Sequence, residues 1–135
     1  MSEIIESVSE RLQAVQARIS DAARVAGRAP GSIRLIAVSK TFPADDIAAL
    51  LAAGQRDFGE SYLQEAEAKI ETLGDAGVVW HFIGPIQSNK TRAIAEHFNW
   101  VHSIERTKIA ERLAVQRPAR LPPLDVCIQV NVSGE

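Results

Sequence analysis

Apolar residues recur at alternating spacings of three and four along the first part of the chain, at Ile5, Val8, Leu12, Val15, Ile19, Ala22 and Ala26. That spacing is one face of a helix, and it predicts a helix over residues 3–26 with Ser2 able to cap its start. Gly27 is placed to take the left-handed conformation that ends a helix, and Pro30 prevents its resumption. The pattern then changes. Ile33-Arg34-Leu35-Ile36-Ala37-Val38 is a nearly continuous apolar run, of the kind found in strands buried on both faces of a parallel sheet. Past it, Pro43 suits the first turn of a second helix, Asp45 and Asp46 complement its dipole, Ile47, Leu50 and Leu51 form its apolar face, and Gly54 closes it.

The alternation repeats down the chain. A strand is predicted around Asp57-Phe58-Gly59. A helix follows, introduced by a capping box at Ser61-Tyr62-Leu63-Gln64 and buried through Leu63, Ala66, Ile70 and Leu73. Val78 to Ile83 reads as a third strand, and Ser88 can cap a helix carrying Ala93, Ile94 and Phe98. Trp100 to Ile104 reads as a fourth strand, Ile109, Ala110 and Leu113 mark a helix, and Val126, Ile128, Val130 and Val132 alternate along a fifth strand. Strands alternating with helices over short connections imply right-handed parallel crossovers and an α/β sheet. Ser39-Lys40-Thr41-Phe42-Pro43 follows the first strand where a doubly wound nucleotide fold would carry glycines, which favours a sheet curved into a barrel. Closure takes about eight strand-helix units, so the five here imply the first part of a single barrel domain over residues 1–135, in a chain that looks truncated.

Composition narrows the function. A chain of 135 residues, 46% hydrophobic, can bury one core. Its 15 Lys and Arg are scattered among 17 Asp and Glu, which argues against a nucleic-acid surface. Cys127 is the only cysteine, and its apolar neighbours Val126 and Ile128 predict a buried, inert thiol in a reducing compartment. No apolar run approaches the roughly 18 residues of a membrane span, and the start MSEIIESVSE is too acidic for a signal peptide. A soluble, cytoplasmic protein that binds neither nucleic acid nor membrane is expected.

Several segments, in order across nearly the whole chain, carry a resemblance. They are Ala37-Val38-Ser39-Lys40-Thr41 with Pro43, Phe58-Gly59-Glu60 with Gln64-Glu65, Trp80-His81-Phe82-Ile83-Gly84 with Gln87-Ser88-Asn89-Lys90, then Val101-His102-Ser103 and Gln129-Val130-Asn131. Together they resemble the pyridoxal phosphate homeostasis proteins, the YggS/PROSC family. The resemblance implies a TIM-type (β/α) barrel like the alanine racemase N-terminal domain, with an N-terminal helix and about five of eight units present. It also implies bound pyridoxal 5′-phosphate (PLP), held as a Schiff base on Lys40. The implied role is storing, delivering or buffering vitamin B6, with PLP-dependent apoenzymes as recipients, without enzymatic turnover. The oligomeric state, monomer or homodimer, stays open. Two departures matter. Ser61 stands where the family usually has Asn, and the family's phosphate-binding segment lies beyond Glu135. That second departure predicts weak retention of PLP by this chain.

Read from the residues alone, Lys40 sits at the C-terminal end of a strand, where barrel enzymes build their sites. It is either a Schiff-base lysine or a solvated flank. Arg34 shares its parity but lies too far along the strand to be a neighbour. Ser61 is an N-cap or a cofactor contact. His81 and His102 are core histidines or groups standing behind the cofactor. Ser88, Asn89 and Lys90 are ordinary capping residues or an anion site. Gln129 and Asn131 share one face of the fifth strand, where a polar network near the cofactor or buried water could take them. Trp80 and Trp100 read as core. A PLP-dependent amino-acid racemase is the rival function, and it needs an acid or base opposed to Lys40.

Overall fold

A computed structural model of the chain describes residues 2–134, with side chains described from residue 8 onward. Helix α1 (Ser2–Val25) is followed by β1 (Ala37–Val38), α2 (Ala44–Ala52), β2 (Asp57–Glu60), α3 (Leu63–Leu73), β3 (Val79–Phe82), α4 (Thr91–His97), β4 (Trp100–Ile104), α5 (Thr107–Gln116) and β5 (Asp125–Ile128). The five strands are parallel and stand in the order of the sequence. Right-handed crossovers that always step in the same direction lay every helix on one face. The order is that of a TIM-type barrel and lacks the reversal of a doubly wound sheet. The α/β barrel expected from the sequence is present as five consecutive units.

The core lies between strands and helices. Ile47, Phe58, Ala66, Trp80, Phe82, Ile94, Phe98, Val101, Ile109 and Leu113 form one buried cluster, with Phe82 and Phe98 in edge contact at 5.2 Å. Side chains alternate across a strand, so Phe58 and Glu60 face the helices while Asp57 and Gly59 face the inside of the curve. Trp80 belongs to the core, as expected, whereas half-buried Trp100 stacks on His81 at 5.6 Å.

Several elements depart from the sequence pattern. Of the apolar stripe of α1, Leu12 is buried and Val8 and Ile19 are half-buried, while Val15, Ala22 and Ala26 are exposed and Ala23, outside the stripe, is buried in place of Ala22. Among the described residues the helix packs mainly against α2 and the Pro30–Ser32 turn, which leaves part of a wide stripe uncovered. The expected Ser2 cap and the Ile5 contact involve side chains outside the described residues. Strand β1 is shorter than the apolar run because the buried Gln55 side chain replaces the ladder there, donating to Leu35 O (2.8 Å) and Asp57 O (2.9 Å). The strand after Pro122 and Pro123 stops at Ile128 instead of running on to Val132. Beyond Gln129, whose N–H still reaches Ile104 O at 2.8 Å, no neighbour among the described residues extends the ladder, and Val130 and Val132 are exposed. Cys127 is half-buried on this edge strand, not enclosed as its neighbours suggested.

Candidate functional site

The strand-end lysine stands on a turn of unusual backbone. Ser39 N–H continues the sheet by donating to Gly59 O (2.9 Å), and Phe42 N–H donates back to Ser39 O (3.1 Å). Inside this turn Thr41 has φ +69°, the only non-glycine residue with positive φ among those described. Turns of that kind take Gly or Asn at this position; a β-branched residue there is strained, at a cost on the order of 1–3 kcal/mol. The surroundings must hold it.

They do so from α3. Lys69, one turn beyond Glu65, is 6% exposed, and its ammonium donates to Ser39 O (2.8 Å), to both Glu60 oxygens (3.0 and 2.9 Å) and to Glu65 Oε1 (2.7 Å). That same Glu65 oxygen accepts the Thr41 N–H at 2.5 Å. The fully buried Glu60 also takes a hydrogen bond from the Ser39 hydroxyl. The residues on either side of Lys40 are therefore both tied to one ion-paired cluster, while Lys40 itself is exposed. The hydrogen bond from Lys69, with that from Thr41 and the Lys69 charge, holds the Glu65 carboxyl below the usual carboxylate range.

Ser61 follows β2. The β1–β2 register pairs Val38 with Gly59, so Lys40 and Ser61 each follow that last pair by two residues at the C-terminal ends of adjacent strands. Ser61 is half-buried because the end of β3 lies against it. A Cβ on Gly84 would sit 2.5 Å from Ser61 O, so only glycine permits this approach. The Gly84 carbonyl in turn accepts the Ser103 hydroxyl at 2.5 Å, which links the ends of β2, β3 and β4. Ser61 does not cap α3. The cap position is Tyr62 with no side-chain hydrogen bond, so the expected capping box is not formed. Ser88 likewise caps nothing by its side chain. Its carbonyl accepts from Thr91 Oγ1 (3.0 Å) and Arg112 Nε (3.1 Å) in a short turn before α4.

His81 lies inside the curve, paired with Gly59 and hence about two residues, roughly 7 Å, below the Lys40 level. It is 1% exposed, with Nε2 on Asp57 Oδ1 (2.8 Å) and Nδ1 on His102 Nε2 (2.9 Å). With both imidazoles neutral, His102 Nε2–H donates to His81 Nδ1, and His81 Nε2–H donates to Asp57. Burial, then the neighbouring His81, pushes the His102 pKa down. Arg34 completes the cluster, 3.8 Å from Asp57 and 5.7 Å over the Trp100 ring. Asn131 lies past β5, exposed, with its Oδ1 accepting from Gly134 N–H (2.8 Å) and the Ser133 hydroxyl (3.4 Å).

The family model for the alanine racemase N-terminal domain matches residues 11–135. The chain belongs to that family. Pyridoxal phosphate homeostasis proteins of Pseudomonas aeruginosa and Escherichia coli are 61% and 54% identical to it, each over 97% of this chain and 57% of the relative. The chain thus spans a little over half the length of these relatives. PipY of Synechococcus elongatus, solved with PLP bound, is similar at 44% identity with a TM-score of 0.67, over 81% of this chain and 47% of that one. Among the described residues no helix is long and apolar enough to cross a membrane.

Within this alanine racemase N-terminal fold, sequence reading found the strand-end lysine but missed Lys69, Glu60 and Glu65 as a unit. Glu65 and Lys69 have the spacing of an ordinary surface ion pair. A signal was available: Ala66 and Ile70 place that helix face toward the sheet, where Lys69 must also turn.

Proposed function

We propose that this chain binds pyridoxal 5′-phosphate through a Schiff base on Lys40 and serves to store, deliver or buffer vitamin B6. The observation that carries the reading is the turn itself: an exposed lysine at a strand's C-terminal end, whose two neighbours are held by a buried ion-paired cluster. Strained backbone that the surroundings over-determine is characteristic of ligand sites. When bound, PLP supplies an aldehyde carbon to which a neutral amine adds, the carbonyl oxygen leaving as water. The residues present suit that chemistry: Lys40 supplies the amine, Ser61 a hydroxyl at the adjacent strand end, and His81 with His102 the polar wall below. Asn131 is assigned a polar contact at the far strand end. The names of the relatives and the PLP-bound PipY structure support the cofactor.

The proposed role is non-catalytic. A racemase would need an acid or base opposed to Lys40, and both nitrogens of His81 are already engaged by Asp57 and His102. The domain is read as the first part of one barrel, PLP-dependent apoenzymes as the recipients, and the cytoplasm as the setting, which a lone cysteine supports.

Addition of PLP to the protein, reduction with borohydride and peptide mass mapping tests the reading. The adduct is expected on Lys40 and lost in Lys40→Ala. Labelling of Lys90 and Lys108 at the same level as Lys40 would sink it. Lys69 is buried, so its labelling reports unfolding. Sustained, stereochemically defined turnover of an amino acid would replace the carrier role by an enzymatic one.

A further inference from the structure

The cluster behind the Lys40 turn does more than dock α3 on the sheet. Docking alone would be served by the apolar residues of that helix, Ala66 and Ile70, and a buried ion pair gives little net stability over an apolar replacement. What the charged groups contribute here is direction. A carboxylate oxygen is aimed at the amide of Thr41, the one left-handed non-glycine among the described residues, and an ammonium at the carbonyl two residues earlier. Lys69 meets Glu60 on one side and Glu65 on the other, so Glu65 is held in turn by a buried, doubly paired group.

We propose that Glu65, held by Lys69, is a positioning residue for Lys40: by accepting the Thr41 N–H it keeps Thr41 left-handed and so fixes the backbone from which the Lys40 amine reaches an aldehyde. The inference rests on the reading of Lys40 as the PLP lysine. It deepens that reading by assigning the selectivity of Lys40 over other exposed lysines to the geometry of its turn. A Thr relaxing to negative φ would swing the Lys40–Thr41 peptide away, leaving an ordinary surface amine.

The test is the rate of borohydride-trapped labelling at each lysine in the whole chain, with thermal unfolding and amide exchange at Thr41 as readouts independent of PLP. In Glu65→Ala the Lys40 rate should fall about tenfold, as loss of support for one strained residue implies, while Lys90 and Lys108 are unchanged. Glu65→Gln keeps an acceptor for the Thr41 amide and should stay within about twofold of the parent. Thr41→Gly removes the dependence, because glycine takes positive φ without strain; Thr41→Gly/Glu65→Ala should label within about threefold of Thr41→Gly. A purely structural Glu65 would not be suppressed in this way. A folded Glu65→Ala that labels Lys40 at the parental rate overturns the proposal, as does a double variant as slow as Glu65→Ala alone. If Glu65→Ala does not fold, the Thr41 amide decides: rapid exchange of that amide in the folded parent overturns the proposal, and protection in step with the sheet supports it. Failure of the parent to label Lys40 preferentially is a separate result, which strikes the PLP reading and not the positioning step.

Discussion

On the helix-covered face of β2, Glu60 is met by the ammonium of Lys69, whereas on the opposite face, three residues earlier, Asp57 is met by the imidazole of His81. Both acids come from one strand and both partners are almost fully buried. The difference lies in what else each partner holds. Lys69 and its second carboxylate reach backbone atoms on either side of Lys40, so their electrostatics are converted into the shape of a turn. The Asp57–His81–His102 chain binds side chain to side chain within the wall of the curve and touches no backbone of that turn. One cluster positions a loop; the other fills and polarises an interior. Disturbing each in turn should separate shape from stability.

The largest effect is expected from Lys69→Met. The substitution keeps the length of the chain but leaves Glu60 buried without its counter-charge, and breaking one side of a buried pair costs about 3–5 kcal/mol. Denaturant unfolding should show that loss, and Lys69→Met/Glu60→Gln should recover part of it by removing the orphaned charge. Lys69→Met within about 1 kcal/mol of the parent would mean that the pair does not organise this corner, and the contrast with His81 would collapse.

His81→Ala should cost less, about 2–3 kcal/mol, from the lost packing against Trp100 and the lost partner of Asp57. More telling is its effect on the Lys40 turn. Because the imidazole chain does not hold the turn, the folded variant should keep parental hydrogen-exchange protection at the Thr41 amide, a readout that does not involve PLP. Loss of that protection, equal to that expected of Glu65→Ala, would show that the two clusters act as one.

The sequence pattern was most readable where a single period controls burial. Parallel strands announced themselves through Phe58, Trp80, Phe82 and Val101, and the winding followed from their alternation with short helices. Lys40 was legible as a strand-end residue because Val38 and Pro43 bracket it. The cluster that frames it was not, since Glu60 and Lys69 are nine residues apart and meet only after β2 turns into α3. Thr41 gave no sign either: its left-handed backbone is imposed by Glu65 through a tertiary contact, against the preference of a β-branched residue. Ser61-Tyr62-Leu63-Gln64 misled for a related reason. The tight packing of Gly84 against Ser61 fixes where the chain enters α3, and the cap position falls one residue later on Tyr62. Val130 and Val132 have the alternation of a strand, but a strand needs a neighbour, and beyond Ile104 β4 offers none.

The smallest effect, and the one that distinguishes the clusters by pH, belongs to His102. Its folded pKa lies below the ordinary imidazole value of 6.5 because burial disfavours the charged ring, with His81 adding to the shift. The unfolded imidazole therefore takes up a proton first as the pH falls. Stability from this group is complete above about 6.5 and is lost as the pH drops through the depressed folded value. Glu65 behaves in the same sense at lower pH: its carboxyl is held below 4.5 by Lys69, so its contribution is intact above that value and is lost on further acidification. Urea midpoints measured from pH 8 downward should show a shallow decline beginning near 6.5 and a second below 4.5. His102→Asn should remove part of the first and leave the second, whereas Glu65→Gln should do the reverse. If His102→Asn leaves the upper decline unaltered, the imidazole chain is not what titrates there. Selective loss of the lower decline in Glu65→Gln would place acid sensitivity at the corner that holds Lys40, the place where a change of turn geometry would be felt by the amine.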